Sequence, residues 1–338
     1  MQYLGIDWGT RRAAWCALDV HGRLREGMVP ADEGGLGRLA LSLAGEEVRG
    51  CIEMMSGSVW VRDQLVMMGW EIKIADARKV KSIAPLACKT DRVDARVLAD
   101  LCRRDLVPEL WVPTVDERAN RERVRRRTHL VRLRTSATNR IFGLLTQWGM
   151  RRSLTWLRRH GALEELAEGG VPAVWLQSIS TLLGLINDLD RQIKPLETEL
   201  RRHARRDPRV KLLMTIPGVA ELLGLTFACE IGDVTRFPTA RKLVGYSGLT
   251  PRITQSGISS RIGQITKTGP ATLRWAAIEA AQQAYRPTSP WHRLWTEIPA
   301  RNGGKTNAAK AAIARKILIA VWHVLAREEP FKPSCAPA

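Results

Sequence analysis

The chain has 338 residues, 45% of them hydrophobic, which is enough for two or three domains that each bury a core. Its 53 Lys and Arg residues outnumber 34 Asp and Glu residues, and the net charge of +19 concentrates polyanions at the surface, which a metabolic kinase does not need. No uninterrupted apolar run reaches about 18 residues and no secretory signal opens the sequence, so we expect a cytoplasmic protein without a membrane span.

Short strand-like runs alternate with helical ones from Met1 to about Trp111. Three early strands, followed by strands that helices separate, predict a mixed α/β layer. The predicted strands are YLGI, AAWCAL, LREGMV, VRGCIEM and EIKIA, and the predicted helices lie near Leu36 to Leu43 and Val59 to Met68.

Asp7 follows the first of these strands, in YLGIDWGT. Three interpretations fit an aspartate in this place: the first phosphate loop of a sugar-kinase-like ATPase, one of several metal-binding carboxylates of a ribonuclease-H-like nuclease, or a cap on a turn at the strand end. Glu53 stands at the end of VRGCIEM in a similar way, and a buried strand end seldom carries an acid without a partner.

Asp91 and Asp94 lie three residues apart in CKTDRVDARVLADLCRR, on one face of a predicted helix. The alternative interpretation is that Asp91 complements the helix N-terminus after Thr90 and that Asp94 pairs with a nearby Arg. Taken together, however, four acids from two strand ends and one helix repel one another unless cations lie among them. Mg²⁺ prefers such oxygen ligands, and two ions about 3.5 to 4 Å apart stabilise both the attacking and the leaving oxygen of a phosphodiester. The four acids therefore favour a nuclease-like site over a kinase.

Six cysteines are scattered without a CxxC pair or a histidine at metal-ligand spacing. This distribution predicts reduced, mostly buried thiols and argues against a disulfide scaffold or a zinc site. The six are Cys16, Cys51, Cys88, Cys102, Cys229 and Cys335.

Two segments, from Pro113 to Gly149 and from Pro172 to Arg206, are charged, helical in pattern and free of strand signals. They predict an antiparallel or intersubunit coiled arm, and dimerisation with it. Nine arginines stand between Arg118 and Arg140 against one Glu, which indicates phosphates alongside; a solvated helix face is the alternative. The arginines predicted to bind nucleic acid are Arg118, Arg121, Arg125, Arg126, Arg127, Arg132 and Arg134.

A third region begins at Pro208, where two short apolar helices flank the residues IPGV. This pattern resembles a helix-hairpin-helix turn, whose backbone amides meet a DNA phosphate. The alternative is a plain connection between two helices.

Three blocks, LGIDWGT, CIEMMSG and KTDRVDARVLADL, are similar in sequence and order to those of the transposases of insertion-sequence families 110 and 1111. The segment from LLMTIPGV through TQSGISS to LRWAAIEAA resembles that family's second conserved domain. The resemblance implies an α/β plus all-α fold class. We expect a RuvC-like (ribonuclease-H-like) mixed sheet domain at residues 1–112, an arginine-rich helical coiled arm at 113–207, a mainly helical C-terminal domain at 208–330 and a tail at 331–338.

The same resemblance implies roles for individual residues. Asp7, Glu53, Asp91 and Asp94 occupy the positions of the family's metal-binding DEDD acids, which are expected to hold two Mg²⁺ ions. Ser256, in TQSGISS, occupies that of the nucleophilic serine, which forms a covalent phosphoserine with DNA. Members of the family are guided by a non-coding bridge RNA whose loops pair with target and donor DNA. They act as synaptic tetramers in which the acids and the serine come from different subunits.

From the residues alone, the role of Ser256 stays open, because QSG between polar residues is a turn signal. The rival hydroxyls are Ser247, Ser259 and Ser260. A serine that attacks phosphate also needs cations to neutralise the phosphorane charge. The candidates are Arg252, Arg261 and Lys267.

Two other functions fit the residues. A metal-dependent junction resolvase would use the four acids with water as the nucleophile and form no covalent intermediate. An RNA-binding protein would use the arginine arm, and its acids would bind structural Mg²⁺.

Overall fold

The computed structural model describes residues 1–84, 90–256 and 259–333; for residues 254, 256 and 259–262 it describes the backbone alone. Two compact units divide the chain, Met1–Pro113 and Thr114–Ala338. Among the helices of the described residues, none combines the length and the apolar composition that crossing a membrane requires. Cys88 and Cys335, which the sequence predicts as reduced thiols, lie outside the described residues.

The first unit is built on one mixed sheet. Its described residues form β1 (Gln2–Trp8), β2 (Arg12–Asp19), β3 (Leu24–Pro30), α1 (Glu33–Ser42), β4 (Val48–Glu53), α2 (Ser58–Met67), β5 (Glu71–Ala75), α3 (Ala77–Ile83) and α4 (Asp91–Arg103). The strand order is β3-β2-β1-β4-β5; β1, β2 and β3 are antiparallel, whereas β4 and β5 run parallel to β1. The five predicted strands and the two predicted helices are confirmed, and α3 is an addition.

The two faces of this sheet pack against different helices. Leu4, Ile6 and Trp8 alternate along β1 and point to one face, where they join a core with Leu36 of α1 and Val61 of α2. The opposite face is covered by α4. Alternation along β1 therefore separates an apolar face from the face that carries Asp7.

The helix α4 lies directly on β1 and runs opposite to it. A Cβ atom at Gly5 would lie 2.1 Å from the carbonyl oxygen of Ala95 and 2.4 Å from the amide nitrogen of Ala99, so only glycine leaves room for the helix. Near the C-terminal end of α4, Cys102 lines a cleft together with Tyr3, close to the amino end of β1. The first turn of α4 therefore points to the edge at which β1 and β4 end.

The second unit is helical apart from one hairpin, as far as its described residues extend. Its described residues form α5 (Val115–Thr146), α6 (Leu154–Leu157), α7 (Ala162–Glu168), α8 (Ala173–Arg206), α9 (Pro208–Leu213), α10 (Glu221–Ile231), α11 (Ala240–Ser247), β6 (Pro251–Ser256), β7 (Ser259–Ile265), α12 (Ala271–Ala281), α13 (His292–Arg301) and α14 (Thr306–Arg327), with 3₁₀ turns at Val234–Arg236 and Gln282–Tyr285. The helices α5 and α8 pair as a long arm, and α14 packs against α11, α12 and α13. The mixed sheet, the long helical pair and the mainly helical remainder confirm the predicted fold class.

Two segments of the second unit are fixed by packing. Gly218, in the IPGV turn between α9 and α10, has φ of +88°, and a Cβ atom there would lie 2.5 Å from the carbonyl oxygen of Ala280. Phe331, where the predicted tail begins, packs its ring 5.8 Å from that of Trp291 and donates its amide to the hydroxyl of Thr215 at 2.8 Å. The turn and the start of the tail are thus held against helices.

Replacing Gly5 by Ala is expected to destabilise the protein by about 1–3 kcal/mol, because the added methyl group meets backbone atoms of α4 that no side-chain rotation can move. Gly37→Ala, inside α1, is the matched control, since an added Cβ there has open space around it. That change is expected to be neutral or to stabilise by about 0.5–1 kcal/mol. Denaturant unfolding measures both, and equal stabilities would contradict the close packing of α4 on β1.

Candidate metal centre and nucleic-acid interface

Asp7 and Glu53 lie near the carboxyl ends of two adjacent parallel strands. The register pairs Gly5 of β1 with Cys51 of β4, so the two acids both stand two residues further along. Successive side chains of a strand alternate between faces, and both carboxylates therefore share the face of Gly5 and Cys51. The thiol of Cys51 donates to the carbonyl oxygen of Leu98 in α4 at 3.2 Å, which identifies this face as the one that α4 covers. Both acids are half-buried.

Asp91 and Asp94 stand in the first turn of α4. Thr90 caps this turn: its hydroxyl oxygen accepts a hydrogen bond from the amide of Val93, and its carbonyl oxygen accepts one from the amide of Asp94. Asp91 is exposed and Asp94 is half-buried. Because α4 runs opposite to β1, the helix brings its two acids towards the edge at which the two strand carboxylates lie.

The four acids offer what a hard divalent cation binds, namely carboxylate oxygens that solvent reaches. Among the described residues, which include all four acids, no group of three or more His, Cys, Asp or Glu side chains is arranged to hold a metal ion. The donors fit Mg²⁺ in kind, and the assignment of the four as its ligands stays a prediction.

Two residues that position this edge were not among the predicted site residues. Gly5 allows the close approach of α4, and Arg96 of α4 donates from Nε and Nη2 to the carboxylate of Glu26 in β3 at 2.6 and 2.8 Å. The hydrogen bonds from Arg96 lower the pKa of Glu26. A glycine inside a strand was a signal for the close approach, whereas no local pattern joins an arginine to an acid 70 residues away.

Ser256 is the last residue of β6, and its backbone pairs with that of Ser259 in β7. The side chains of both, and that of the rival Ser260, lie outside the described residues. Ser247 is fully buried and donates to the carbonyl oxygen of Val244 at 2.7 Å, which removes this rival from contact with DNA.

The base of the β6–β7 hairpin is anchored to the end of α11. Gly248 and Gly269 have φ of +71° and +83°, and a Cβ atom would lie 2.0 and 1.9 Å, respectively, from a backbone carbonyl oxygen of the segment that faces it. Arg252 and Lys267, two of the cations predicted to face phosphate, are exposed near this base. The side chain of the third, Arg261, lies outside the described residues.

Two arginines of α5 bind the C-terminal end of α10. Arg121 is buried, and its Nε and Nη2 donate to the carbonyl oxygens of Cys229 and Glu230 at 2.7 and 2.9 Å. Arg125 makes two hydrogen bonds of 2.9 Å to the carboxylate of Glu230, which is fully buried. Burial lowers the pKa of Arg121, whereas the hydrogen bonds to Glu230 raise that of Arg125. The guanidinium group of Arg125 thus compensates the buried charge of Glu230, and that of Arg121 compensates the negative C-terminal end of α10.

Other arginines of α5 pair with acids of α8. The pairs are Arg123 with Glu199 at 3.0 Å, Arg127 with Glu197 at 2.5 Å and Arg134 with Asp190 at 2.8 Å. The residue numbers of the acids decrease as those of the arginines increase, so the two helices are antiparallel. The arginine-rich segment itself contains few acids, and these partners lie 56 to 76 residues away, beyond the reach of any local pattern. Among the arginines predicted to bind nucleic acid, four are therefore engaged within the chain: Arg121, Arg125, Arg127 and Arg134. Arg118 is half-buried.

One side of α5 keeps its positive charge in solvent. Arg126, Arg132 and Arg140 are exposed, and none of them has a hydrogen bond or ion pair within the part of the chain that the structure describes. Exposed polar residues between them recur at spacings of three and four, which places them on one face of the helix. The exposed basic face comprises Arg126, His129, Arg132, Ser136, Asn139 and Arg140.

Two family models match the chain. The model of the DEDD transposases of IS110 matches residues 4–150, which include the four acids and α5. The model described as the transposase IS116/IS110/IS902 family matches residues 210–296, which include Ser256. The two models match the two parts of the chain in the order in which the motifs occur.

Three relatives are similar to the chain over two thirds or more of its length. The chain is 27% identical to a probable family 20 transposase of Pseudomonas aeruginosa, over 82% of this chain and 83% of the relative. It is 26% identical to the transposase for insertion sequence element IS1111A of Coxiella burnetii, over 84% and 79%. It is also 26% identical to the transposase for IS1328 of Yersinia enterocolitica, over 68% and 69%.

The fold and these matches define the protein as a transposase. The chain belongs to the IS116/IS110/IS902 family of insertion-sequence transposases. Membership of the DEDD group implies the use of a divalent metal, and transposition implies DNA as the substrate.

Replacing Arg125 by Met is expected to lower the free energy of unfolding by about 3 kcal/mol, because the fully buried carboxylate of Glu230 loses both side-chain hydrogen bonds from Arg125. The neighbouring Arg126→Met is the control, and its effect on stability is expected to stay within about 0.5 kcal/mol, since Arg126 is exposed. Urea unfolding of the two variants gives the difference. A similar effect for both would show that the contact between Arg125 and Glu230 is not structural.

Proposed function

We propose that this transposase cuts and rejoins DNA through a phosphoserine on Ser256, while four acids hold Mg²⁺ and a non-coding guide RNA selects the DNA. The observation that carries the proposal is the placement of Asp7 and Glu53 on adjacent strands, with the first turn of α4 directed to the same edge. This placement supports the proposal that carboxylates from separate sequence blocks serve one site.

The metal would be held by Asp7, Glu53, Asp91 and Asp94, where it would stabilise the oxygens that attack and leave the phosphorus. The strands supply two half-buried carboxylates with restricted positions, and the helix supplies two from a capped first turn. The rigid packing of α4 on β1 supports this assignment, because it limits the movement of three elements that carry the acids.

Ser256 is the proposed nucleophile. Its hydroxyl oxygen forms a bond to phosphorus and loses its proton, while a deoxyribose oxygen leaves with the cut strand. Rejoining is the reverse reaction, in which a deoxyribose hydroxyl attacks the phosphoserine and releases the serine. Arg252 and Lys267 are proposed to neutralise the negative charge that grows on the phosphorane. The family resemblance supports acids and serine from different subunits of a tetramer, so one chain does not need to bring them together.

The exposed basic face of α5 is proposed to bind the phosphates of the guide RNA. Its arginines differ from Arg121 and Arg125 because no described residue neutralises them. Phosphates of an RNA backbone supply the missing negative charge, and the polar residues between the arginines offer further hydrogen bonds.

Ser256→Ala is expected to abolish a covalent protein–DNA adduct, because alanine lacks the hydroxyl oxygen that would bond to phosphorus. The assay incubates the protein and its co-expressed RNA with Mg²⁺ and DNA that spans the ends of the element, and it resolves adducts on a denaturing gel. Ser259→Ala is the matched control and is expected to retain the adduct. Asp7→Asn is expected to abolish it as well.

Two outcomes would overturn the proposed RNA-guided phosphoserine mechanism. Cutting that persists in Ser256→Ala without an adduct would show that the acids work as a hydrolytic nuclease, as in a junction resolvase. An adduct that persists without added RNA would remove the guide from the reaction.

Replacing Arg126, Arg132 and Arg140 together by Ala is expected to weaken RNA binding and to reduce the slope of log affinity against log salt by about 3, close to one unit for each lost phosphate contact. The control removes the same charge from scattered exposed positions, as Arg23→Ala, Arg38→Ala and Arg293→Ala. Fluorescence anisotropy at several KCl concentrations measures both slopes. Equal slopes for the two triple variants would contradict a role for this face.

A further inference from the structure

Two cysteines pack into one apolar cluster between β4 and α4. Cys51 pairs with Gly5 of β1 and Lys73 of β5 near the centre of the sheet, and its side chain is fully buried. Its thiol donates to the carbonyl oxygen of Leu98, and Cys102, one helical turn further along α4, packs against the apolar cluster to which Cys51 belongs. Both cysteines are free thiols. The proposed transposition chemistry uses neither of them.

Cys102 is the reachable member of the pair. It is half-buried and lines a surface cleft together with Lys73 and Arg49. The neighbouring Cys51 side chain lowers the pKa of the Cys102 thiol, and the positive charge of Lys73 lowers it further. Since the thiolate is the nucleophile in thiol–disulfide exchange, Cys102 has both the access and the ionisation that an attacking thiol needs.

Two other cysteines provide a contrast within the same protein. Cys16 and Cys229 are buried, and burial raises their pKa values to about 11 and about 12, respectively. At neutral pH both stay protonated thiols out of contact with solvent. They are internal controls for the first step, the attack on a small disulfide, which selects by access and ionisation; Cys51 is equally buried and is expected to react only with the neighbouring Cys102.

We propose that Cys51 and Cys102 are a redox site, which closes to a reversible disulfide when low-molecular-weight disulfides such as oxidised glutathione accumulate. The Cys102 thiolate attacks one sulfur of the small disulfide, forms a mixed disulfide and releases one thiolate. Cys51 then attacks the sulfur of Cys102 and releases the second. The two protons of the cysteine thiols end on the two released thiols, and the small disulfide accepts the two electrons.

The bond would join two elements that carry the predicted metal ligands. Cys51 stands two residues before Glu53 in β4, and Cys102 lies in the helix whose first turn carries Asp91 and Asp94. A disulfide draws the two sulfurs to about 2.05 Å, and α4 has no free space against β1 at Gly5 to absorb the shift. The closed form is therefore expected to displace α4 and to slow DNA cutting. This consequence rests on the proposed function, whereas the formation of the bond does not.

Peptide mapping tests the bond without any need for activity. Full-length protein with Cys88→Ser and Cys335→Ser is incubated with oxidised glutathione, alkylated, digested without reduction and analysed by mass spectrometry. The expected product is a peptide pair linked through Cys51 and Cys102, which disappears on treatment with dithiothreitol. Cys16 and Cys229 are expected to remain unmodified until the protein is unfolded.

Two variants make the mechanism specific. In Cys51→Ser the resolving thiol is absent, so Cys102 is expected to accumulate the mixed disulfide with glutathione. In Cys102→Ser, a change at the more exposed position, Cys51 is expected to stay unmodified. A wild-type protein that stops at the mixed disulfide, or that oxidises Cys16 or Cys229 first, would overturn the proposal.

The consequence for function is measured separately. Oxidised wild type is expected to cut DNA more slowly than the reduced protein and to recover with dithiothreitol, whereas Cys102→Ser is expected to cut equally under both conditions. Equal cutting by oxidised and reduced wild type, with the bond mapped, would refute the effect on the acids and leave the redox site in place. Absence of cutting in the reduced wild type would count against the proposed function and not against the bond.

Discussion

The contact between Gly5 and the backbone of α4 is the constraint on which the candidate site depends. Because β1 has no side chain at this position, the helix lies on the sheet at backbone distance, and its register against the strands is fixed. The direction of α4 then sends its first turn to the edge where β1 and β4 end. The acids on the strands owe their shared face to the pleat of the sheet, and those on the helix reach that edge through this one contact.

The second unit depends on a different balance, that between arginines and buried acids. Glu230 has no exposed surface, and Arg125 supplies the two charge-assisted hydrogen bonds that make its burial tolerable, while Arg121 binds the adjacent carbonyl oxygens. Further arginines hold α5 to α8 through ion pairs. The net charge of +19 is thus not all available to a partner. On α5, Arg126, Arg132 and Arg140 have no acid partner among the described residues, and they lie on the exposed basic face, which directs their attraction for nucleic acid to one side of the arm.

Local patterns predicted the strands of the first unit and the two long helices of the arm, because alternation and turn residues act over a few positions. Asp7 and Glu53 were predictable for the same reason, since each follows a buried run. Contacts between distant segments were not predictable from local patterns. The partners of Arg123 and Arg127 lie 76 and 70 residues away, and Cys51 and Cys102 are also far apart in sequence. For Ser256 the residues alone give only a turn, and its proposed role rests on the family resemblance.

The central claim is that four acids from two strands and one helix form one divalent metal site. Fe²⁺ in place of Mg²⁺, with ascorbate and peroxide, releases hydroxyl radicals that cut the protein backbone close to the bound ion. A single site predicts cuts near Asp7, near Glu53 and between Asp91 and Asp94, which excess Mg²⁺ suppresses and Asp7→Asn removes. Cuts at other positions, or the same cuts in Asp7→Asn, would contradict it.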